Sequence, residues 1–317
     1  MLVLLLDFAI VDRSDRMSRF DYDDEQKHEH VTLLSRAHEY MIAMPTRELI
    51  CSEVWGSNGN ANLDLVLPGL RGVLYSRACG GKKGGDVYYA SACAAGVISR
   101  MCLADVAGHG EQVAQVGNWL RGAMRSTMGQ HEPSKVFHAL NKRASVFGLE
   151  ALTTAVCLSF DMMTGELRFC YAGHPPAFVL PAGATEWAVL HMSDDAAGVR
   201  NVPLGVSDAA AFDTGARVIN EGDRLFLYSD GILEAPDTAH ALFGSDRLLE
   251  TLNGAARHSA GELARTVEAR LAQHTGGADF AHDDVTFVII EAGPRALDSK
   301  LWQLLRNQSR KMVRHLA

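Results

Sequence analysis

Four aspartates stand where apolar runs meet glycine-rich turns, and a fifth follows the last of them. Asp86 follows Gly84-Gly85 in CGGKKGGDVYY, and Asp105 closes MCLADV ahead of Ala107-Gly108-His109-Gly110. Asp230 closes LFLYSDG, while Asp283 and Asp284 open DDVTFVII. A carboxylate at a strand end is held by a rigid element yet reaches the rim of the core. One such Asp-Gly is ordinarily a turn former; several from distant parts of a chain carry chemistry only if they converge. Ionised carboxylates a few ångströms apart repel, and their pKa values rise unless a cation compensates. Oxygen ligands without His or Cys favour Mg2+ or Mn2+ over zinc. A pair of such ions roughly 3.5–4 Å apart can lower the pKa of a shared water from 15.7 towards about 7, which is what hydrolysis of a phosphate ester requires.

The glycines around Lys82 and Lys83 offer a competing chemistry, a loop wrapped around a nucleotide phosphate. That loop needs G-x-x-x-x-G-K followed by Ser or Thr. Here Gly81-Lys82 is followed by Lys83, and Ser76 occupies the position of the first glycine. The stretch then runs into a strand-like segment instead of the helix whose N-terminus would hold the anion. The nucleotide reading fails on all three points, and the two lysines are expected to be solvated or to attract a phosphorylated substrate.

The elements that must position these groups are mostly short apolar runs punctuated by glycine. Strands are expected over Gly72–Ser76, Asp86–Ala92, Val97–Val106, Leu152–Phe160, Leu167–Ala172, Ala177–Leu180, Trp187–His191, Arg224–Ser229 and Val285–Glu291. Turns such as Met163-Thr164-Gly165 are too short for parallel crossovers, so antiparallel pairing is expected. Helical spacing appears over 111–128 and 134–147, and Ser259 with Glu262 forms a capping-box pattern opening another helix. A further amphipathic stretch runs from Glu29 to Met44, and GSNGNAN, residues 56–62, reads as a loop. Together these predict an α+β fold of antiparallel sheets with helices layered outside.

Composition narrows the function. The 317 residues are 47% hydrophobic and 21% charged, with room for a buried core. A formal charge of −8 argues against a nucleic-acid binder. The six cysteines (Cys51, Cys79, Cys93, Cys102, Cys157 and Cys170) show no metal spacing and read as free thiols in a reducing compartment. The opening MLVLLLDFAIVD lacks a basic region before its apolar stretch, and no apolar run reaches about 18 residues. A cytoplasmic protein without a membrane span is expected.

The motifs GGDVYY, LADVAGHG, LTTAVCLSFDMMTGELRFCYAGHPP, VPLGV, EGDRLFLYSDGILEA and DDVTFVII occur in an order that resembles the metal-dependent protein phosphatases related to protein phosphatase 2C. The bacterial branch typified by the stage II sporulation phosphatase and the sigma-factor regulators is the nearer likeness, over Leu65–Ala292. The resemblance implies two packed antiparallel β-sheets flanked by helices, with two divalent ions, Mn2+ or Mg2+, at one end. It implies that Asp86 and Asp105 bridge the ions, with the Val106 carbonyl facing the site. Asp230 and Asp283 complete the shell and Asp284 is a secondary ligand. The reaction implied is in-line attack of a dimetal-bound hydroxide on phosphoserine or phosphothreonine, without a phosphoenzyme. His109 either protonates the leaving serine oxygen or stabilises its turn; His174 reads as structural and His282 as a neighbour of the ligand Asp283. Tyr89 replaces an acidic residue common in relatives, which implies altered hydrogen bonding around a metal-bound water.

The expected organisation is a lead-in over 1–64 with one helix, a phosphatase domain over 65–292, and a basic amphipathic helix over 293–317. That last segment carries six Lys/Arg against one Asp. Either terminal helix could serve a homodimer or a regulatory partner. The substrate implied by the resemblance is a phosphorylated regulator of the anti-sigma-factor-antagonist type. The competing reading is a catalytically silent phosphatase-fold module that binds a partner in the same kind of pathway.

Overall fold

Alternation along the strands sorts their side chains into two apolar layers, because successive residues of a strand face opposite sides. In Asp86–Cys93, Tyr88 and Ala90 enter one core while Val87 and Tyr89 enter another. Leu225 and Leu227 of Arg224–Tyr228 join Tyr88 and Ala90, whereas Phe226 and Tyr228 face away. A computed structural model of the chain describes residues 52–57, 59–79, 84–93, 97–107, 111–127, 130–144, 152–192, 200–277 and 280–294. The described residues belong to one compact unit, Ile50–Ala296.

The strands are β1 (Ser52–Ser57), β2 (Ala61–Leu67), β3 (Leu70–Arg77), β4 (Asp86–Cys93), β5 (Ile98–Val106), β6 (Thr153–Asp161), β7 (Glu166–Ala172), β8 (Phe178–Leu180), β9 (Ala188–Val189), β10 (Gly215–Val218), β11 (Arg224–Tyr228) and β12 (Val285–Ala292). They form two six-stranded sheets, in the orders β1-β4-β5-β6-β7-β10 and β2-β3-β12-β11-β8-β9. Neighbours in both sheets run antiparallel. The helices are α1 (Glu111–Ser126), α2 (Pro133–Ala144), α3 (Gly244–Gly254) and α4 (Ala260–Thr275).

Three buried clusters hold the layers together. One fills the space between the sheets, with Leu74, Leu103, Leu158, Val179 and Val288 from both. A second lies under α1 and α2, where Leu120, Phe137 and Leu140 meet Val106 and Cys157. A third lies under α3 and α4, where Leu248, Leu263 and Val267 meet Phe226 and Phe287. Each fully buried Leu or Phe contributes about 1.5–3 kcal/mol against exposure, so the sandwich is held mainly by these layers. Cys102, Cys157 and Cys170 are buried free thiols within the second cluster, as the sequence suggests.

Two details fix the ends of helices. The Ser259 hydroxyl accepts from the Glu262 amide while Glu262 returns a bond to the Ser259 amide at 2.9 Å, so the capping box that starts α4 is complete. The Arg100 guanidinium, buried on β5, donates to the carbonyls of Thr127 and Gln130 just beyond α1. That contact ties the far end of α1 to the strand that carries Asp105.

Among the described residues the sandwich includes strands ahead of Leu65, and within 56–62 the residues Gly56, Ser57, Ala61 and Asn62 lie in strands. β1 pairs with β4 from Ser52↔Ala92 to Ser57↔Val87, and β2 pairs with β3. Ladder pairing overrides the loop-like composition there, because β propensity depends on the neighbours a strand finds. β10 and α3 are further elements without a sequence-based expectation. The amphipathic stretches at Glu29–Met44 and beyond Gly293 lie outside the described residues. No helix among the described residues is long and apolar enough to cross a membrane.

Candidate metal centre

Asp86 opens β4 and Asp105 lies next to the end of β5, directly opposite each other in the ladder. Both have the parity of the residues that face the inter-sheet core, so both carboxylates face the space between the sheets at one end. From the opposing sheet, β11 ends at Tyr228 and leads through Ser229 into a 3-10 turn, Asp230–Ile232. Asp283 and Asp284 lie just ahead of β12. Aspartates separated by up to about two hundred residues therefore collect at one end of the sandwich.

Their mutual influence shows in their protonation. Burial pushes Asp86 well above the usual carboxylate range, with the Asp105 charge adding to it. Asp105 is raised to about 7, first by burial and then by Asp230, Asp283, Asp284 and Glu234. Asp230 is raised by burial and by Glu234, and Asp283 by burial with Asp230 and Asp284 adding to it. Such mutual destabilisation is what a bound cation would relieve.

The Asp86 side chain is half satisfied. Its Oδ2 accepts from the Ser229 hydroxyl at 2.8 Å, but its buried Oδ1 has no hydrogen-bond partner. Ser229 is itself fully buried, and its Oγ accepts the Thr286 amide at 3.0 Å. A buried carboxylate with one fixed and one orphaned oxygen fits a cation ligand. Oxygen-only donors on both sheets fit a hard divalent ion. Among the described residues, however, no three His, Cys, Asp or Glu side chains already stand in the arrangement of a metal centre. The donor chemistry fits such an ion.

Asp284, the secondary ligand candidate, is otherwise engaged. Its Oδ1 accepts the Cys79 amide at 2.7 Å, and its Oδ2 accepts the amides of Gly85 and Asp86. A Cβ at Gly84 would lie 2.1 Å from the same carboxylate, so the glycine at that position permits this close wrap. The amides of Cys79, Gly85 and Asp86 thus close around a carboxylate that belongs to the protein itself.

The loops bearing Asp230 and Asp283 are also locked together. His282 donates from Nε2 to the Gly231 carbonyl at 2.8 Å. A Cβ at Gly231 would lie 1.9 Å from the Asp284 carbonyl oxygen. The Asp283 carboxylate accepts the Asp284 amide at 2.8 Å, fixing its own orientation.

Val106 is buried at the end of β5, its amide donating to the Gly85 carbonyl at 3.2 Å. Tyr89 corrects an expectation. Three positions beyond Asp86 on a strand, it faces the opposite side of the sheet and packs under α1. There its hydroxyl donates to Glu53 at 3.2 Å, beside Arg121, whose guanidinium lies 3.8 Å from the Trp55 ring centre. It does not reach the space around Asp86. His109, Lys82 and Lys83 lie outside the described residues. Ser229 is the residue that sequence reasoning missed; its signal was a hydroxyl between the buried run Leu225–Tyr228 and the Asp-Gly turn.

Residues 99–293 match the family model of Stage II sporulation protein E (SpoIIE). Protein IcfG of Synechocystis sp. (strain ATCC 27184 / PCC 6803 / Kazusa) is 28% identical over 131 residues, which is 41% of this chain and 19% of that protein, so the chain spans about a fifth of this relative's length. The RsbU and RsbW domains of Rv1364c from Mycobacterium tuberculosis superpose with a TM-score of 0.59 at 22% identity, covering 81% of this chain and 71% of that one. The PP2C phosphatase domain and regulatory-domain fragment of the cell fate determinant SpoIIE from Bacillus subtilis give 0.57 at 15% identity, covering 90% of this chain and 96% of that one. Similarity at these identities shows the fold, which is the PP2C sandwich.

Proposed function

We propose that this chain, which belongs to the Stage II sporulation protein E (SpoIIE) family, is a metal-dependent protein serine/threonine phosphatase. Its substrate would be a phosphorylated regulatory protein of the anti-sigma-factor-antagonist type. The observation that carries the reading is the Asp86 carboxylate, held at Oδ2 by Ser229 and unpartnered at buried Oδ1, beside an Asp105 raised to about 7.

Asp86, Asp105, the Val106 carbonyl, Asp230 and Asp283 would hold two divalent ions, Mn2+ or Mg2+. When bound, the ions supply positive charge opposite the phosphoryl oxygens and a lowered pKa for water. The chain's own part is positioning. Ser229 leaves one oxygen of Asp86 free and aims the other. Asp284 holds the amides of Gly85 and Asp86, so the Asp86 backbone is fixed from the opposing sheet. His282 joins the Asp230 turn to the loop of Asp283. Phosphoryl transfer draws most of its catalysis from such fixed placement and charge, and a rigid acidic end wall suits it.

Hydrolysis of an aryl phosphate with added Mn2+ tests the reading. Turnover should be abolished by a chelator and by Asp230→Asn; metal-loaded protein without turnover on aryl phosphate or phosphoprotein would defeat it. The second reading, a silent module that binds a partner through the same scaffold, draws on the lack of a ready-made group of three ligands among the described residues. It predicts partner binding that is indifferent to chelation.

A further inference from the structure

His174, in the corner that follows β7, has no part in the account above. We propose that it is a positioning residue for the acidic end wall, acting through Thr154 on Asp105; the inference rests on the metal-site reading.

Thr154 of β6 lies directly opposite Asp105 of β5, and Asp105 lies directly opposite Asp86 of β4. Side chains opposite one another across antiparallel strands share a face, with Cβ atoms about 4.5–5.5 Å apart. Asp86, Asp105 and Thr154 therefore form a row across three strands. The next side chain in that direction is the imidazole: His174 Nδ1 lies 3.0 Å from Thr154 Oγ1.

The corner that carries His174 has little freedom to move. Gly173 has φ +66, donates its amide to the Asn201 carbonyl at 2.6 Å, and bridges to Ala155. A Cβ at Gly173 would meet the Pro203 ring at 2.4 Å, so the backbone is wedged against the 201–204 segment. With its backbone fixed and its ring 6% exposed, the imidazole holds the Thr154 hydroxyl in one orientation beside Asp105.

The ring chemistry suits that task better than packing alone. Burial pushes the imidazole pKa down to about 3, so the ring stays neutral and sets no positive charge against a cation at Asp105. Of its two nitrogens only Nδ1 makes a well-formed hydrogen bond, and the Tyr228 backbone near the ring opposes the downward shift without undoing it. The Nδ1 bond to Thr154 is what the ring contributes. Groups that hold a metal's ligands typically change metal affinity by about 10–100-fold when removed, and that range sets the scale for the Thr154–His174 pair.

The test is Mn2+ titration calorimetry on the full chain, with kcat and KM for an aryl phosphate at saturating Mn2+. Wild type is compared with His174→Leu, His174→Asn, Thr154→Val and the double variant His174→Leu/Thr154→Val. His174→Leu and Thr154→Val should each weaken Mn2+ binding about 10–100-fold and lower kcat with KM little changed. The double variant should be no weaker than either single one, because both remove the same bond. His174→Asn, whose amide can replace Nδ1, should recover most of the affinity. If His174→Leu does not fold, Thr154→Val decides, since it leaves the imidazole in place. Folded variants with wild-type affinity and kcat, or losses that multiply in the double variant, overturn the assignment. A wild type that takes up no Mn2+ would instead bring down the metal reading, and this inference with it.

Discussion

The backbone amide of Asp86 donates to the carboxylate of Asp284 at 3.2 Å, across 198 positions of sequence. With the amides of Cys79 and Gly85 on the same carboxylate, this contact sews the two sheets together at the end where the other aspartates gather. It also gives one glycine of the GGKKGG run a structural reason: Gly84 makes room for a buried carboxylate of the chain itself.

Replacing Asp284 should therefore act first on the fold. Asp284→Asn removes an acceptor oxygen from a carboxylate that holds three amides, two of them in buried bonds, and leaving buried donors unmade costs about 1–3 kcal/mol for each. A loss on the order of 3 kcal/mol is expected in urea unfolding of the metal-free protein. Mn2+ affinity should fall as a consequence, because the Asp86 loop loses its anchor.

Asp86→Asn should do the reverse to stability. The folded protein holds this carboxyl well above its ordinary pKa, so its ionised form opposes folding at neutral pH. The variant should melt at a higher temperature than wild type at pH 7.5 without metal, yet gain nothing from Mn2+. Its phosphatase activity should fall by more than about 100-fold, beyond the usual range for groups behind the ligands.

Gly231→Ala tests the contact between the two loops of the opposing sheet. The new Cβ would meet the Asp284 carbonyl oxygen at 1.9 Å, and backbone must move to admit it. Overpacking of this kind costs about 1–3 kcal/mol. Because the displaced segments carry Asp230 and Asp283, kcat should drop at least about tenfold even where the protein remains folded by circular dichroism.

The pH dependence has a defined sign. Asp105 is raised to about 7 in the fold, against about 3.9 in an unfolded chain. Its contribution to metal-free stability is present below the unfolded value and is lost as pH rises towards 7. His174 runs the other way: held at about 3 in the fold, it contributes stability above its unfolded value near 6.5 that is lost as pH falls. Metal-free stability should thus decline from both sides, and melting curves between pH 4 and 8 would record it. Protons compete with the cation at Asp105 and at Asp86, so Mn2+ affinity should weaken by at least about tenfold per unit below pH 7.

The strands that carry the site were legible because each is a buried apolar run ending at Asp or leading from it. β4, β5, β11 and β12 lie within a residue or two of their expected limits. β10 was not legible because its residues are mostly exposed and offer no apolar alternation. α3 was not because it starts after Phe243 without a side-chain cap, and its buried residues are only Leu248, Thr251 and Leu252. At the site, the place of Asp86, Asp105, Asp230 and Asp283 at strand ends was legible, whereas a shared ligand shell was an expectation from the family resemblance alone. The occupation of Asp284 was not legible, since its partners are backbone amides about two hundred residues away. Tyr89 shows the same limit: only the pleat of a completed strand puts it on the far side of the sheet from Asp86.

A crystal of the protein soaked in Mn2+, with anomalous scattering recorded at the manganese edge, tests most directly whether the carboxylates of both sheets share cations. Manganese peaks should lie between Asp86, Asp105, Asp230 and Asp283, with Asp86 Oδ1 at bonding distance, about 2.0–2.2 Å by analogy with other hard divalent ions. A crystal saturated with Mn2+ that shows no peak among these four residues, with Asp86 Oδ1 still unpartnered, would contradict the account.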